Sequence, residues 1–365
     1  MMIKQAGLTT LGLLCLGLSS TLANTYNQTA ADPSTSPNYS SSFTQTARWS
    51  DGTSAPAKSM NDASGDTQAN DYISTYLMRT PASNWTSTTY YFNTLTLGVN
   101  GSNIGNIAFK GLVDNTMIMT GDVRLDGGWL NMNAATSGSN TPITQTIQAR
   151  SLEIVSSGSI VLTVNYANNN AGETKKEGKL VVNAPLTGGG SLLISNIANT
   201  NTIQQNYFRV TFQGDNSAYS GNILINNSST ANNTTYYTTV VVDAGSSLGS
   251  GIITLGQGGA LTLTDADALS LSSGLVIGNT TFWQINLTSG ITYDLQSFSI
   301  GGDIWSTIGD TIGGIGSGAT HEYSQILGGG IFEISAIPEP STYVLIGIGL
   351  ATLVFLRRKS RRQVN

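Results

Sequence analysis

The chain predicts an all-β body. From about Tyr90, runs of some four residues alternate apolar and polar side chains and recur roughly every ten to seventeen residues. That is the period-two pattern of half-buried strands. Gly, Asn and Ser separate the runs, and no amphipathic helical pattern of useful length occurs before the last thirty residues.

Taken in order, residues 1–23 have a basic start at Lys4, an apolar core from Leu11 to Leu18, and a small-x-small site at Thr21-Leu22-Ala23. This is the pattern of a secretory signal helix, cleaved after Ala23 by our reading, with export through the Sec machinery. Cys15 lies inside the apolar core after Leu13-Leu14, which is not a lipidation context. Residues 24–91 form a polar N-terminal segment, expected as a loose cap, and within 24–70 Trp49 is the main apolar feature. Such a composition builds no core alone. The body, 92–333, carries the strand-like runs 93–98, 159–164, 179–182, 191–194, 209–212, 221–225, 239–242, 252–255 and 260–263.

Composition excludes several functions. Cys15 is the only cysteine and leaves with the signal, so the mature chain has no disulfide, Cys nucleophile or thiolate metal site. Charged residues are 10% of the chain, against a usual value of about 25%. Ten of the sixteen Lys and Arg, and twenty of the twenty-one Asp and Glu, lie between residues 24 and 337, a net charge near −10. No Lys or Arg occurs between Arg209 and Arg357. Such a surface repels nucleic acid, whose binding needs cations.

Short strands with Gly and Asn turns suit both a two-sheet sandwich and a solenoid. Residues 211–225 bear on the choice. Phe212, Gly214, Asn216, Tyr219, Ser220 and Gly221 in this stretch match the pattern L-x-G-x-N-x-Y-S-G followed by a strand. It resembles the repeat of autotransporter-type passengers, over about 209–263, with a polar insertion at 226–239 that departs from the pattern. The resemblance implies a right-handed parallel β-solenoid, or β-helix. Its core would be built by stacking, because one coil cannot bury its own apolar face. On the order of ten coils of about 24 residues are expected, stacked about 4.8 Å apart. Val210, Phe212, Ile223, Ile225, Val240, Val242, Leu261 and Leu263 would point inward. The open ends need caps: Trp49 and Trp85 at one, Trp283, Trp305 and the Gly-rich 301–330 region at the other.

The C-terminal region, 334–365, reads Pro338-Glu339-Pro340, then fourteen uncharged residues at 343–356, then Arg357, Arg358, Lys359, Arg361 and Arg362. As a helix, the apolar stretch spans about 21 Å, short of the ~30 Å hydrocarbon core but tolerable at modest cost. The five cations favour the cytoplasmic side and leave the body outside. The prolines keep the preceding peptide extended and accessible. The order of these three features closely resembles the PEP-CTERM sorting signal of Gram-negative bacteria. The resemblance implies one short transmembrane helix, an inner-membrane precursor, an exosortase-type membrane peptidase as partner, and delivery to the cell surface or extracellular matrix.

Catalytic constellations are missing. His321, the only histidine, sits in a Gly-rich context with no Ser in a nucleophile elbow, and zinc would need several His or Cys ligands. Asp265 and Asp267 would share one face of a strand, near the spacing of glycosidase carboxylates, yet 264–268 reads better as a turn. Gly188-Gly189-Gly190 and Gly328-Gly329-Gly330 lack the Lys-Ser or Lys-Thr of a phosphate loop and read as turns. The expectation is a structural or adhesin-like surface protein, not an enzyme, with no cofactor or metal. Exopolysaccharide is a candidate partner, and the alternative is a carbohydrate-active or glycan-binding β-helix.

Overall fold

A computed structural model describes residues 24–31, 46–50, 70–80, 87–110, 113–132, 143–163, 176–197, 206–228, 237–269, 273–278 and 280–335. The signal peptide, the Pro338–Pro340 motif, the 343–356 span and the 357–362 cluster all lie outside these residues. Among the described residues the protein is all-β: thirty-one strands and two single-turn 3-10 helices.

Most strands belong to three sheets of parallel strands. The first sheet holds Thr25–Asn27, Asp71–Ser74, Thr94–Leu97, Asp122–Leu125, Ser151–Ile154 and Leu186–Gly188. The second runs from Leu77–Arg79 through Asn106–Phe109, Trp129–Met132, Ser157–Leu162, Ser191–Asn196, Ile223–Asn227, Ile252–Leu255 and Gly274–Ile277 to Ser297–Ile300. The third runs from Ser87–Tyr90 through Asn115–Met119, Ile143–Gln148, Lys176–Asn183, Asn206–Phe212, Thr238–Val242 and Gly259–Leu263 to Trp283–Leu287, with Ile326–Leu327 last. The chain visits the sheets in turn and returns one strand further along. Thr238 pairs with Gly259 and Ile143 with Gly178, so circuits between Asp71 and Ile300 take from 21 to 35 residues, whereas the end pairings of Thr25 with Asp71 and Ile285 with Ile326 span more. The longer circuits carry their extra residues between second- and third-sheet strands, as between Asn227 and Thr238.

In-register pairing stacks like upon like. One buried row runs Ile107, Leu130, Ile160, Ile194, Ile225, Leu255, Ile277 along the second sheet. Another runs Met117, Ile147, Val182, Phe212, Val242, Leu263, Leu287 along the third. Alternate residues on a strand face opposite sides, so each row forms a continuous apolar wall. The eight residues expected to point inward are all buried.

The sheets begin before Phe92. Thr25–Asn27 pairs with Asp71–Ile73, and Trp49 is buried edge-on against Tyr72, ring centroids 4.8 Å apart. At the other end the parallel rule breaks. Asp303–Trp305 pairs antiparallel with Ser297–Ile300, and Thr311–Gly314 pairs antiparallel with Ile331–Ile334. Trp305 packs on Phe298, and Phe298 on Phe332, at centroid distances of 5.8 and 6.0 Å. The second sheet thus ends on a reversed strand, whereas the third ends on the parallel strand Ile326–Leu327.

Candidate functional site

The residues tested for chemistry in the body have structural employment. Asp265 caps the 3-10 turn Ala266–Ala268: Oδ1 accepts from Asp267 N at 3.3 Å and Oδ2 from Gly245 N at 3.2 Å. The stretch is therefore a turn that ties two circuits together. His321 lies half-buried on the strand His321–Tyr323, with its ring 5.3 Å from that of Trp305. Its neighbour Glu322 accepts from Gly316 N at 3.0 Å and Gly318 N at 2.9 Å. These two hydrogen bonds hold the carboxyl below its usual range. Gly316 and Gly318 have φ of 82° and 79°, a region that favours glycine, so Glu322 staples a loop. Both glycine triplets sit at bends. Among the described residues, no three His, Cys, Asp or Glu side chains are grouped to hold a metal ion.

The 211–225 motif has a clear geometry. After Leu186–Gly188 the first sheet has only one more contact, an isolated bridge from Gly188 to Tyr219. Side chains take over the closing role. Asn216, fully buried, accepts from Leu186 N at 2.5 Å and donates to Ser247 O at 2.6 Å, reaching the circuit on either side. The Tyr219 hydroxyl donates to Gly190 O at 2.7 Å, with Asn222 O at 3.1 Å. Burial raises the pKa of this phenol and keeps it in its donor form. A Cβ on Gly221 would sit 1.9 Å from Gly190 O, so only glycine lets these circuits meet. The resemblance to the autotransporter-type repeat marked Asn216, Tyr219 and Gly221, but did not reveal that they replace a strand.

The C-terminal signal follows this scaffold in the sequence. The final strand, Ile331–Ile334, is followed by Ser335, whose N donates to Leu295 O at 3.0 Å and whose Oγ donates to Asp294 Oδ1 at 2.6 Å. The chain thus leaves the body from a fixed point. Residues 336–361, which begin at the next position, match the family model of the PEP-CTERM protein-sorting motif. The match indicates a protein that is exported and sorted through an exosortase, itself a membrane protein. Neither a curated protein nor a solved structure matches the chain. No helix among the described residues is long and apolar enough to cross a membrane.

Proposed function

We propose that the body is a right-handed parallel β-solenoid with a structural or adhesin-like role at the cell surface or in the extracellular matrix. We propose further that its tail holds it at the inner membrane until processing. The circulation of the chain through three parallel sheets supports the solenoid, as do the brackets built by Asn216, Tyr219 and Gly221, the residues that resemble the autotransporter-type repeat. The absence of grouped catalytic side chains among the described residues favours a scaffold. The observation that carries the proposal is the sorting motif at 336–361, directly after a pinned exit.

In this reading, Pro338 and Pro340 keep the scissile region extended, which lowers the entropy lost when a peptidase takes it up. Glu339 supplies a charge for recognition. The 343–356 span crosses the bilayer as a short helix, and Arg357, Arg358, Lys359, Arg361 and Arg362 hold its end at the cytoplasmic side. Replacing Pro338, Glu339 and Pro340 together with Ala is expected to leave an unprocessed, membrane-bound precursor in the native host. Removing the basic cluster is expected to let the short span slip. Normal mature size and release of the triple-Ala variant would reduce the tail to an anchor and remove the exosortase role.

A further inference from the structure

The last layer of the body carries the three most exposed large apolar side chains of the described residues. Ile304, Ile308 and Ile315 are 70%, 68% and 73% exposed, whereas the next, Val99, is 51%. Ile304 lies on Asp303–Trp305, the terminal strand of the second sheet. Its neighbour Trp305 packs on Phe298, so Ile304 faces the other way. Ile308 stands at the chain exit, where Gly309 N donates to Ile334 O at 2.8 Å. Ile315 tips the loop that Glu322 staples. All three occupy ordered positions, and exposing them to water is unfavourable.

The sequence beyond the exit sets what can cover them. Ser335 is fixed to Leu295 and Asp294, and only seven residues, 336–342, separate it from the 343–356 span. Seven extended residues reach at most about 25 Å. With the span in the bilayer, this terminal layer is held beside the outer face of the inner membrane. We propose that Ile304, Ile308 and Ile315 form a membrane-apposed surface that seats the body on lipid and sets the height at which Pro338-Glu339-Pro340 is presented. This rests on the reading of 343–356 as a membrane span. Asp303, Asp310, Glu322 and Glu333 lie in the same layer, and no Lys or Arg occurs from residue 210 to 356. The surface therefore takes zwitterionic lipid in preference to anionic lipid, which would repel it.

The test uses the membrane-bound form from a host lacking exosortase, with one cysteine at Ile308 or, at a distant hairpin, at Val99. Each carries an environment-sensitive dye. The protein is reconstituted into phosphatidylcholine–phosphatidylethanolamine vesicles containing a headgroup-level quencher. Quenching at position 308 should exceed that at 99 several-fold and weaken when anionic lipid is added. The pair Ile304→Asp and Ile315→Asp should abolish the difference while the protein resists alkaline carbonate and melts as before. Equal quenching at 308 and 99 in carbonate-resistant protein would overturn the apposition alone. Carbonate extraction of the unmutated form would remove the anchor and the apposition together. Burial at 308 that rises with protein-to-lipid ratio would assign the surface to a second copy and overturn the lipid assignment.

Discussion

From Asp71 to Gly188 the first side of each circuit is a parallel strand, whereas from Gln213 to Ser273 the described residues of the same side form no strand and buried side chains do the closing. In the earlier region backbone answers backbone, and the outward side chains are free to vary. They include Arg124, which donates to Glu153 at 2.7 Å, and Arg150, paired with Asp122. In the later region the hydrogen bonds depend on particular residues: Asn216, Tyr219 and Ser273, whose Oγ donates to Gly249 O at 2.7 Å. Charge follows the same division. Arg209 is the last cation of the body, and nine acidic residues follow it before Ser335. A side closed by strands spreads its stability over many interchangeable positions. One closed by brackets concentrates it in a few.

Substitutions can break this contrast, and the largest effect is expected at Gly221. Gly221→Ala drives a Cβ into Gly190 O at 1.9 Å and Gly190 C at 2.8 Å, both backbone atoms that cannot turn aside. A loss of about 3 kcal/mol is expected in denaturant melts, and Gly245→Ala, where nothing lies within 4 Å but φ is 76°, should cost less. Next comes Asn216→Ala, which strands the buried Leu186 N–H and Ser247 carbonyl, at about 2–3 kcal/mol. Tyr219→Phe keeps the packing and loses one donor, at about 1 kcal/mol.

In the strand-closed region the effects shrink. Arg124 and Glu153 are each more than a third exposed, so Arg124→Ala should cost less than about 1 kcal/mol and vanish in high salt. The smallest effect is a pH dependence. Hydrogen bonding to Arg150 holds the Asp122 carboxyl below its usual range. A depressed native pKa contributes stability above the unfolded value, near 3.9, that is lost as pH falls through the native one. Thermal melts of the natural protein and Asp122→Asn should therefore differ at pH 7 and converge only once the pH has fallen below the unfolded value and through the depressed native one. Losses at Arg124 or Asp122 as large as those at Asn216 would dissolve the distinction between the two regions.

The contrast also explains what could be read in advance. Val210, Phe212, Val240 and Val242 alternate on regular strands, and the buried face follows from period two. Asn216, Tyr219 and Gly221 stood out through the resemblance of 211–225 to the autotransporter-type repeat, not through any regular alternation. Circuit length was not legible. Coils of about 24 residues were expected, but circuits within the body run to 35, with the extra residues in polar connections such as that between Asn227 and Thr238. Nor was the point where the first sheet stops, since residues 213–222, on the next first side, carry no apolar-polar alternation. The 301–330 region announced an end cap by its Trp and Gly content, but Gly-rich runs do not encode which strand pairs with which. The tail was the most legible part, because a proline pair, an apolar stretch and a basic cluster each act through composition and order. The body's role stays a proposal because its outward Thr, Ser and Asn suit many surfaces equally.

That processing and sorting are decided by the tail is tested most directly by the intact mass of the protein released by its native host. The account predicts a chain that starts near Asn24 and ends at or close to Pro338-Glu339-Pro340, without the 343–356 span or the cations from Arg357 to Arg362. A released chain that still carries Arg357 to Asn365 would contradict it.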